Sequence, residues 1–228
     1  MKLTGEILGV LTVFLIVYSC STVKVTDGWK DARIENINGG KVIVVFKSND
    51  DVARQRFEKD MAAQVLERGP QFEVLPSYIN FPDADPDEKH TPEEVTAIRE
   101  KLTDLGVNVA IVTTVKSVRE SVVTNVSEDP GAYPYYGYGG YGGHGYYSGR
   151  YRTGYYHSMN MAYVSPRNST AITTTEKEFV VETLLYDLSL PENDQLLSVV
   201  TSLVDNPKNL VTTSDDFAKA VIKQLFKK

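Results

Sequence analysis

The run Lys41-Val42-Ile43-Val44-Val45-Phe46 constrains this chain more than any other short stretch in it. Four β-branched aliphatics in succession favour a pleated strand over a helix, because two heavy atoms on each Cβ restrict χ1. The run also lacks the polar–apolar alternation of a strand that is wet on one face. Such a strand has to be covered on both sides. The fold expected is therefore α/β, a mixed sheet with helices on both faces.

The flanking patterns supply the other elements. Asp50 or Asp51 is placed to cap a helix in which Ala53, Phe57, Met61 and Val65 recur at four-residue spacing and Leu66 widens the stripe. Gly69-Pro70 ends it, and Phe72-Glu73-Val74-Leu75 reads as a second strand. Thr91-Pro92-Glu93-Glu94 is a capping box with proline at the first helical position, opening a helix that runs to Leu105, with Gly106 as its left-handed cap. Val107, Val109, Ile111, Thr113 and Val115 alternate along a third strand reaching about Val126. A fourth strand is expected from about Thr173 to Leu188 and a fifth from about Gln195 to Leu203, with Pro191-Glu192-Asn193-Asp194 turning between them. Ser214-Asp215-Asp216 is read as the start of a last helix, closed by Lys223, Lys227 and Lys228 in keeping with the helix dipole. The order is βαβαβββα. Right-handed crossovers give a five-stranded sheet in the order 2-1-3-4-5, parallel at one side and antiparallel at the other, with the first two helices on opposite faces.

Ahead of this domain the chain has a different character. Lys2 precedes an apolar run from Ile7 to Val17. As a helix it would span roughly 16 Å, well short of a hydrocarbon core of about 30 Å. It fits the apolar region of a signal peptide instead. The run ends in Val17-Tyr18-Ser19-Cys20, which resembles the lipobox of bacterial lipoproteins, although Tyr18 is bulky for its place and Glu6 weakens the positive start. The other reading is an ordinary signal peptide with an incidental cysteine. The lipobox resemblance implies a diacylglycerol thioether on Cys20 and an acylated amine, and two or more chains give stable anchoring where one does not. Ser21 lacks the acid that favours inner-membrane retention in such lipoproteins, so the expected location is the outer membrane, on its periplasmic face. The expected organisation is a signal peptide over 1–19, a lipidated cysteine and polar tether over 20–40, and one periplasmic domain over 41–228.

Between the third and fourth strands lies a second compositional break. Gly131 to Tyr156 holds ten of the fourteen tyrosines and few aliphatics, so it cannot bury a core of its own. Residues 131–157 are accordingly expected to be a disordered insertion. From Pro130 to Thr175 there is no acid, while Arg150, Arg152 and Arg167 are present, so the stretch carries +3 against −9 for the remainder. Two readings stay open. One is an adhesive hairpin tip in which Tyr135, Tyr136, Tyr138, Tyr141, Arg150 and Arg152 meet sugars, a protein or anionic groups. The other is a tolerated low-complexity insertion at a loop tip.

Reactive constellations are scarce. Gly137-x-Gly139-x-x-Gly142 matches a dinucleotide fingerprint in letters only, since it neither follows the first strand nor opens a helix. Gly39-Gly40-Lys41 precedes a strand and is no phosphate loop. Asp83, Asp85 and Asp87 with Glu94 echo a calcium-loop spacing, but Glu88 stands where glycine is needed and Glu94 belongs to the capping box. His144 and His157 share the glycine-rich segment without a carboxylate nearby, and His90 stands apart. No Gly-x-Ser-x-Gly elbow occurs, and the one cysteine is the lipidation candidate. A net charge of −6 argues against nucleic acid as a partner. No catalytic residue, metal site or cofactor is expected.

Several segments together resemble a family of uncharacterised bacterial envelope lipoproteins. They are Thr26-Asp27-Gly28-Trp29-Lys30-Asp31, Arg54-x-x-Phe57-Glu58, Pro76-Ser77-Tyr78, Val107-Asn108-Val109-Ala110-Ile111-Val112 and Val181-Glu182-Thr183-Leu184-Leu185-Tyr186-Asp187, with a Tyr/Gly-rich insertion between the last two. The resemblance covers nearly the whole mature chain, and Ser198 departs from it where relatives often carry tryptophan. More remotely the layout is similar to the α/β domains of the TolB N-terminal part and of the curli-secretion and penicillin-binding-protein-activator lipoproteins. These likenesses imply a non-catalytic module that binds envelope proteins or peptidoglycan; a self-assembling or secretion-associated component is the alternative, and an enzyme is a third and weaker reading.

Overall fold

The computed structural model describes residues 22–37, 39–84, 89–123 and 174–227. Its strands are β1 (Val23–Lys30), β2 (Gly40–Lys47), β3 (Phe72–Pro76), β4 (Val109–Val123), β5 (Thr174–Asp187) and β6 (Leu196–Asp205). Its helices are α1 (Asp51–Leu66), α2 (Ser77–Asn80), α3 (Pro92–Asp104) and α4 (Leu210–Leu225). The strands form one sheet in the order β1-β6-β5-β4-β2-β3. β2 pairs in parallel with β3 and β4, and every other pairing is antiparallel.

The expected 2-1-3-4-5 order is present as β3-β2-β4-β5-β6, but the sheet has six strands rather than five. The extra one comes from the stretch read as a polar tether. Residues Val23–Lys30 lie along β6, with Val23 opposite Val204 and Lys30 opposite Ser198, and the register slips once between Val25 and Asp27. Locally this sequence is a poor strand, since Asp27 and Gly28 interrupt it. Pairing provides what propensity does not: Val23 is buried in the core, Val25 packs against it, and the Ser198 hydroxyl donates to the Trp29 carbonyl at 3.0 Å. After β1, Asp31 caps a 3-10 turn over Ala32–Asn36 by accepting from the Arg33 amide.

The helices divide between the faces as expected. α1 and α4 run side by side over one face, where Met61, Val65, Phe217, Val221 and Leu225 pack with Val42, Val44 and Phe46 of β2. α3 covers the other, where Leu102 packs with Ile43, Ala110, Val112 and Leu184. Successive residues of β2 therefore feed two cores, which is why the strand carries no polar side. Thr91 caps α3 with both arms of the capping box made, and Gly106 adopts φ +72° just beyond it.

Two helix details differ from expectation. Leu66 does not widen the buried stripe of α1 but is exposed at its end. α4 begins at Leu210, a turn before Ser214, because Asn209 accepts from the Val211 and Thr212 amides and so takes the capping role. Ser214 is instead fully buried inside the helix, where its hydroxyl donates to Asp60 at 2.6 Å. α2, four residues long, has no counterpart in the sequence reading.

Candidate functional site

The carboxyl ends of β2, β3 and β4 define one end of the sheet, here called the upper end. In open α/β sheets this is where ligand crevices form. The topology gathers unusually many features there. Both long helices on the α1/α4 face start at it, β6 ends at it, and β1 begins at it, with Val23 paired to Val204. The β4–β5 hairpin also rises from it: β2 pairs with β4 only as far as Thr114, and β6 with β5 only from Glu178 onward. Beyond those points the two strands continue as a ribbon, from Arg119 opposite Glu178 to Val123 opposite Thr174. Opposite charges face one another across the ribbon and fix its register, Arg119 to Glu178 at 3.2 Å and Lys177 to Glu120 at 2.9 Å.

Between the N-termini of α1 and α4, under the base of this ribbon, lies a crevice of about 540 Å³. That is within the size range of small-ligand sites. Phe46, Phe57, Val115, Phe179, Val181 and Val204 form its apolar walls, and Ser48, Asn49, Asp50, Lys208, Asn209 and Thr213 its polar surroundings. The walls are held firmly. Phe57 stacks on Phe46 with centroids 4.4 Å apart and meets the edge of Phe217 at 5.4 Å. The two helix starts are capped from within the chain, by the Asp50 carboxylate on the Val52 and Ala53 amides and by the Asn209 side chain on Val211 and Thr212. The crevice is thus a mainly apolar slot whose adjacent helix dipoles already have partners.

A second arrangement lies on the other side of α1. Arg54 and Glu58, one helical turn apart, are both buried, Glu58 completely. Glu58 Oε1 accepts from the Phe46 amide at 3.0 Å and the Ser77 hydroxyl at 2.6 Å, and Oε2 accepts from the Tyr78 amide at 2.9 Å. Arg54 Nη2 donates to the Phe81 carbonyl at 2.7 Å and to Ser77 Oγ at 3.1 Å, while Nη1 reaches the Pro82 carbonyl at 3.3 Å. Charges this deeply buried are tolerable only with such full pairing. The network ties β2, α1, α2 and the loop after α2 into one block, and its arms are occupied by protein groups. It is a clamp that shapes the upper end.

Sequence reasoning did not assign these residues a site, although the signal was present. Arg54, Glu58, Ser77 and Tyr78 are members of two of the segments that carry the lipoprotein resemblance, and the fold brings those two segments into contact. Cys20, Tyr135, Tyr136, Tyr138, Tyr141, Arg150 and Arg152 lie outside the described residues, as do Asp85, Asp87, His144 and His157. What is visible is where the chain leaves and returns. Val123 and Thr174, which bracket the glycine–tyrosine segment, are paired at the ribbon's end, at the same end of the sheet as the crevice. Glu94 is committed to the capping box, accepting from the Thr91 amide at 2.7 Å. Ser198, the position at which the sequence departs from the lipoprotein resemblance, is buried beside a small hollow of about 190 Å³ shared with Gly28, Trp29 and Gln224.

Three of the four large hydrophobic side chains that are exposed among the described residues also sit at the upper end: Val52 in the first turn of α1, Ile79 on α2 and Val211 in the first turn of α4. No described helix is long and apolar enough to cross a membrane.

No protein-family model and no curated protein matches the chain. Among solved structures it is similar to the PelC dodecamer from Paraburkholderia phytofirmans, with 13% identity, 90% of this chain and 98% of that chain covered, and a TM-score of 0.41. A point variant of the same PelC gives 11% identity, coverage of 89% and 97%, and a TM-score of 0.41.

Proposed function

We propose that the protein is a lipoprotein anchored in the outer membrane through Cys20, and that its single α/β domain is a non-catalytic module for contacts with proteins or glycans of the envelope. The observation that carries this reading is the position of β1. Its first residue, Val23, is three residues from Cys20 and stands at the same end of the sheet as the crevice and the ribbon that leads into the glycine–tyrosine segment. An anchor at Cys20 would hold that end within roughly 10 Å of the bilayer at about 3.3 Å per extended residue. Contacts made there would be confined to the membrane-proximal layer of the periplasm.

Intact-mass measurement on protein from its native envelope tests the anchor. A mass of residues 20–228 plus three acyl chains, lost in Cys20→Ala, is the expected result, and an unlipidated mass would overturn it. Deleting Gly131–Tyr156 tests the module. Envelope crosslinks that disappear with the deletion support the segment's part, and an unchanged crosslink pattern removes it. Turnover of peptidoglycan or another glycan by the purified protein would overturn the non-catalytic reading.

A further inference from the structure

We infer that the crevice between the N-termini of α1 and α4 houses one of the acyl chains carried on Cys20 of the same molecule. The inference rests on the lipidation reading above and goes beyond it, because it gives one chain a seat in the protein rather than in the bilayer.

The first support is where the chain outside the described residues ends. Only Ser21 and Thr22 separate Cys20 from Val23, and the Thr22 carbonyl is already bonded to the Asp205 amide at 2.8 Å. Val23 is paired with Val204, and Val204 is a wall of the crevice. Cys20 is therefore within about 10 Å of extended backbone from the position of a wall residue, a span a long acyl chain exceeds. Attachment makes the binding intramolecular, so a modest apolar attraction suffices to populate it. The second support is the chemistry of the slot. Its apolar walls are phenylalanine and valine beside the polar groups of Ser48, Asn49, Lys208 and Thr213, its adjacent helix starts are already capped by Asp50 and Asn209, and it opens at the end of the sheet where the N-terminal chain enters. A linear hydrocarbon covers such walls without asking for a hydrogen bond, and the first-turn amides that would otherwise draw an anion are already held by Asp50 and Asn209. The third is compatibility with anchoring. With three chains on Cys20, seating one leaves two in the bilayer, and two suffice for stable attachment.

The test feeds cells a fatty acid bearing a terminal diazirine, so that it enters the acyl groups of Cys20 and of phospholipids alike, and irradiates the intact envelope. The purified full-length mature protein is then digested and its crosslinks are located by mass spectrometry. The expected product joins the Cys20 peptide to peptides containing Phe57, Phe179 or Val204, and it is lost in Ala53→Trp, which fills the crevice from the half-exposed first turn of α1. Phe179→Asp serves as a second blocking variant should Ala53→Trp fail to fold. Crevice peptides that carry whole phospholipid instead would overturn self-occupancy in favour of a bilayer lipid. Crosslinks from Cys20 that avoid the crevice would overturn the site altogether. The intact mass recorded on the same sample separates these failures from absence of lipid on Cys20, in which case the anchor reading itself falls.

Discussion

Two neighbouring strips of α1 reverse the usual rule of what goes inside. Arg54 and Glu58 are charged, one turn apart and buried. Ala53 and Phe57 are apolar, one turn apart, and only half-buried along the crevice. The inner strip is affordable because every side of it finds a partner from β2, α2 or the following loop. The outer strip stays open because nothing described fills the gap between the first turns of α1 and α4, which lie over the same face of the sheet. The difference teaches that the upper end is stiffened by polar groups and left receptive by apolar ones.

The largest expected effect comes from breaking the polar strip. Glu58→Ala removes the buried counter-charge of Arg54 and leaves the Phe46 and Tyr78 amides without their acceptor. Removing one partner of a buried pair costs about 3–5 kcal/mol, and denaturant unfolding should show a loss of that size. The same measurement on Phe57→Ala should give less, about 2 kcal/mol, because a ring that is not fully buried forfeits only part of the 3–5 kcal/mol of a core phenylalanine. If the aromatic proves costlier than the carboxylate, the inversion between the strips is wrong.

This inversion also marks what could be read from the sequence. β2, the capping box of α3, the Gly106 cap and the relative order of five strands were legible because each is fixed by local chemistry or by crossover handedness. Arg54 and Glu58 were not, because a hydrophobic pattern counts every charge as solvent-facing and cannot see that Ser77, Tyr78 and Phe81 return to meet them. β1 was missed for a related reason. Val23–Lys30 becomes a strand through its ladder with β6, about three-quarters of the chain length away, while Asp27 and Gly28 give the opposite local signal. The start of α4 was misplaced because Ser214 and Asn209 are both good caps, and only the burial of Ser214 against Asp60 decides between them. The crevice was beyond reach, since its walls come from α1, four strands and the turn into α4.

A turn further along α1 the contrast softens, and a smaller effect is expected. Asp60 holds Arg56 at 2.8 Å and accepts from Ser214 at 2.6 Å, linking α1 to α4 just below the crevice. Ser214→Ala removes a hydroxyl that donates to Asp60 and to the Val211 carbonyl and accepts from Arg56 at 3.3 Å, but it leaves Asp60 its arginine, so the loss should be about 1 kcal/mol. A loss as large as that of Glu58→Ala would mean that the α1–α4 seam, rather than the buried clamp, holds the upper end together.

The smallest effect belongs to the half-buried counterpart of the clamp. Asp31 and Arg33 make the same kind of pair, at 2.8 Å, but both are only half-buried. The hydrogen bond from the Arg33 side chain, joined by the Arg33 backbone amide and its charge and opposed by partial burial, holds the Asp31 carboxyl below its ordinary value. A carboxyl lowered in the folded state adds stability that is complete above its unfolded pKa, near 3.9, and that is lost as pH falls through the folded one. Asp31→Asn should therefore cost at most about 0.5 kcal/mol at neutral pH, given solvent screening, and the gap from wild type should close in acid. Unfolding curves of the two proteins at pH 7 and below pH 3 would check this. A gap of several kcal/mol at neutral pH would show that geometry rather than burial sets the worth of an arginine–carboxylate pair here, and the contrast with Arg54 and Glu58 would lose its physical basis.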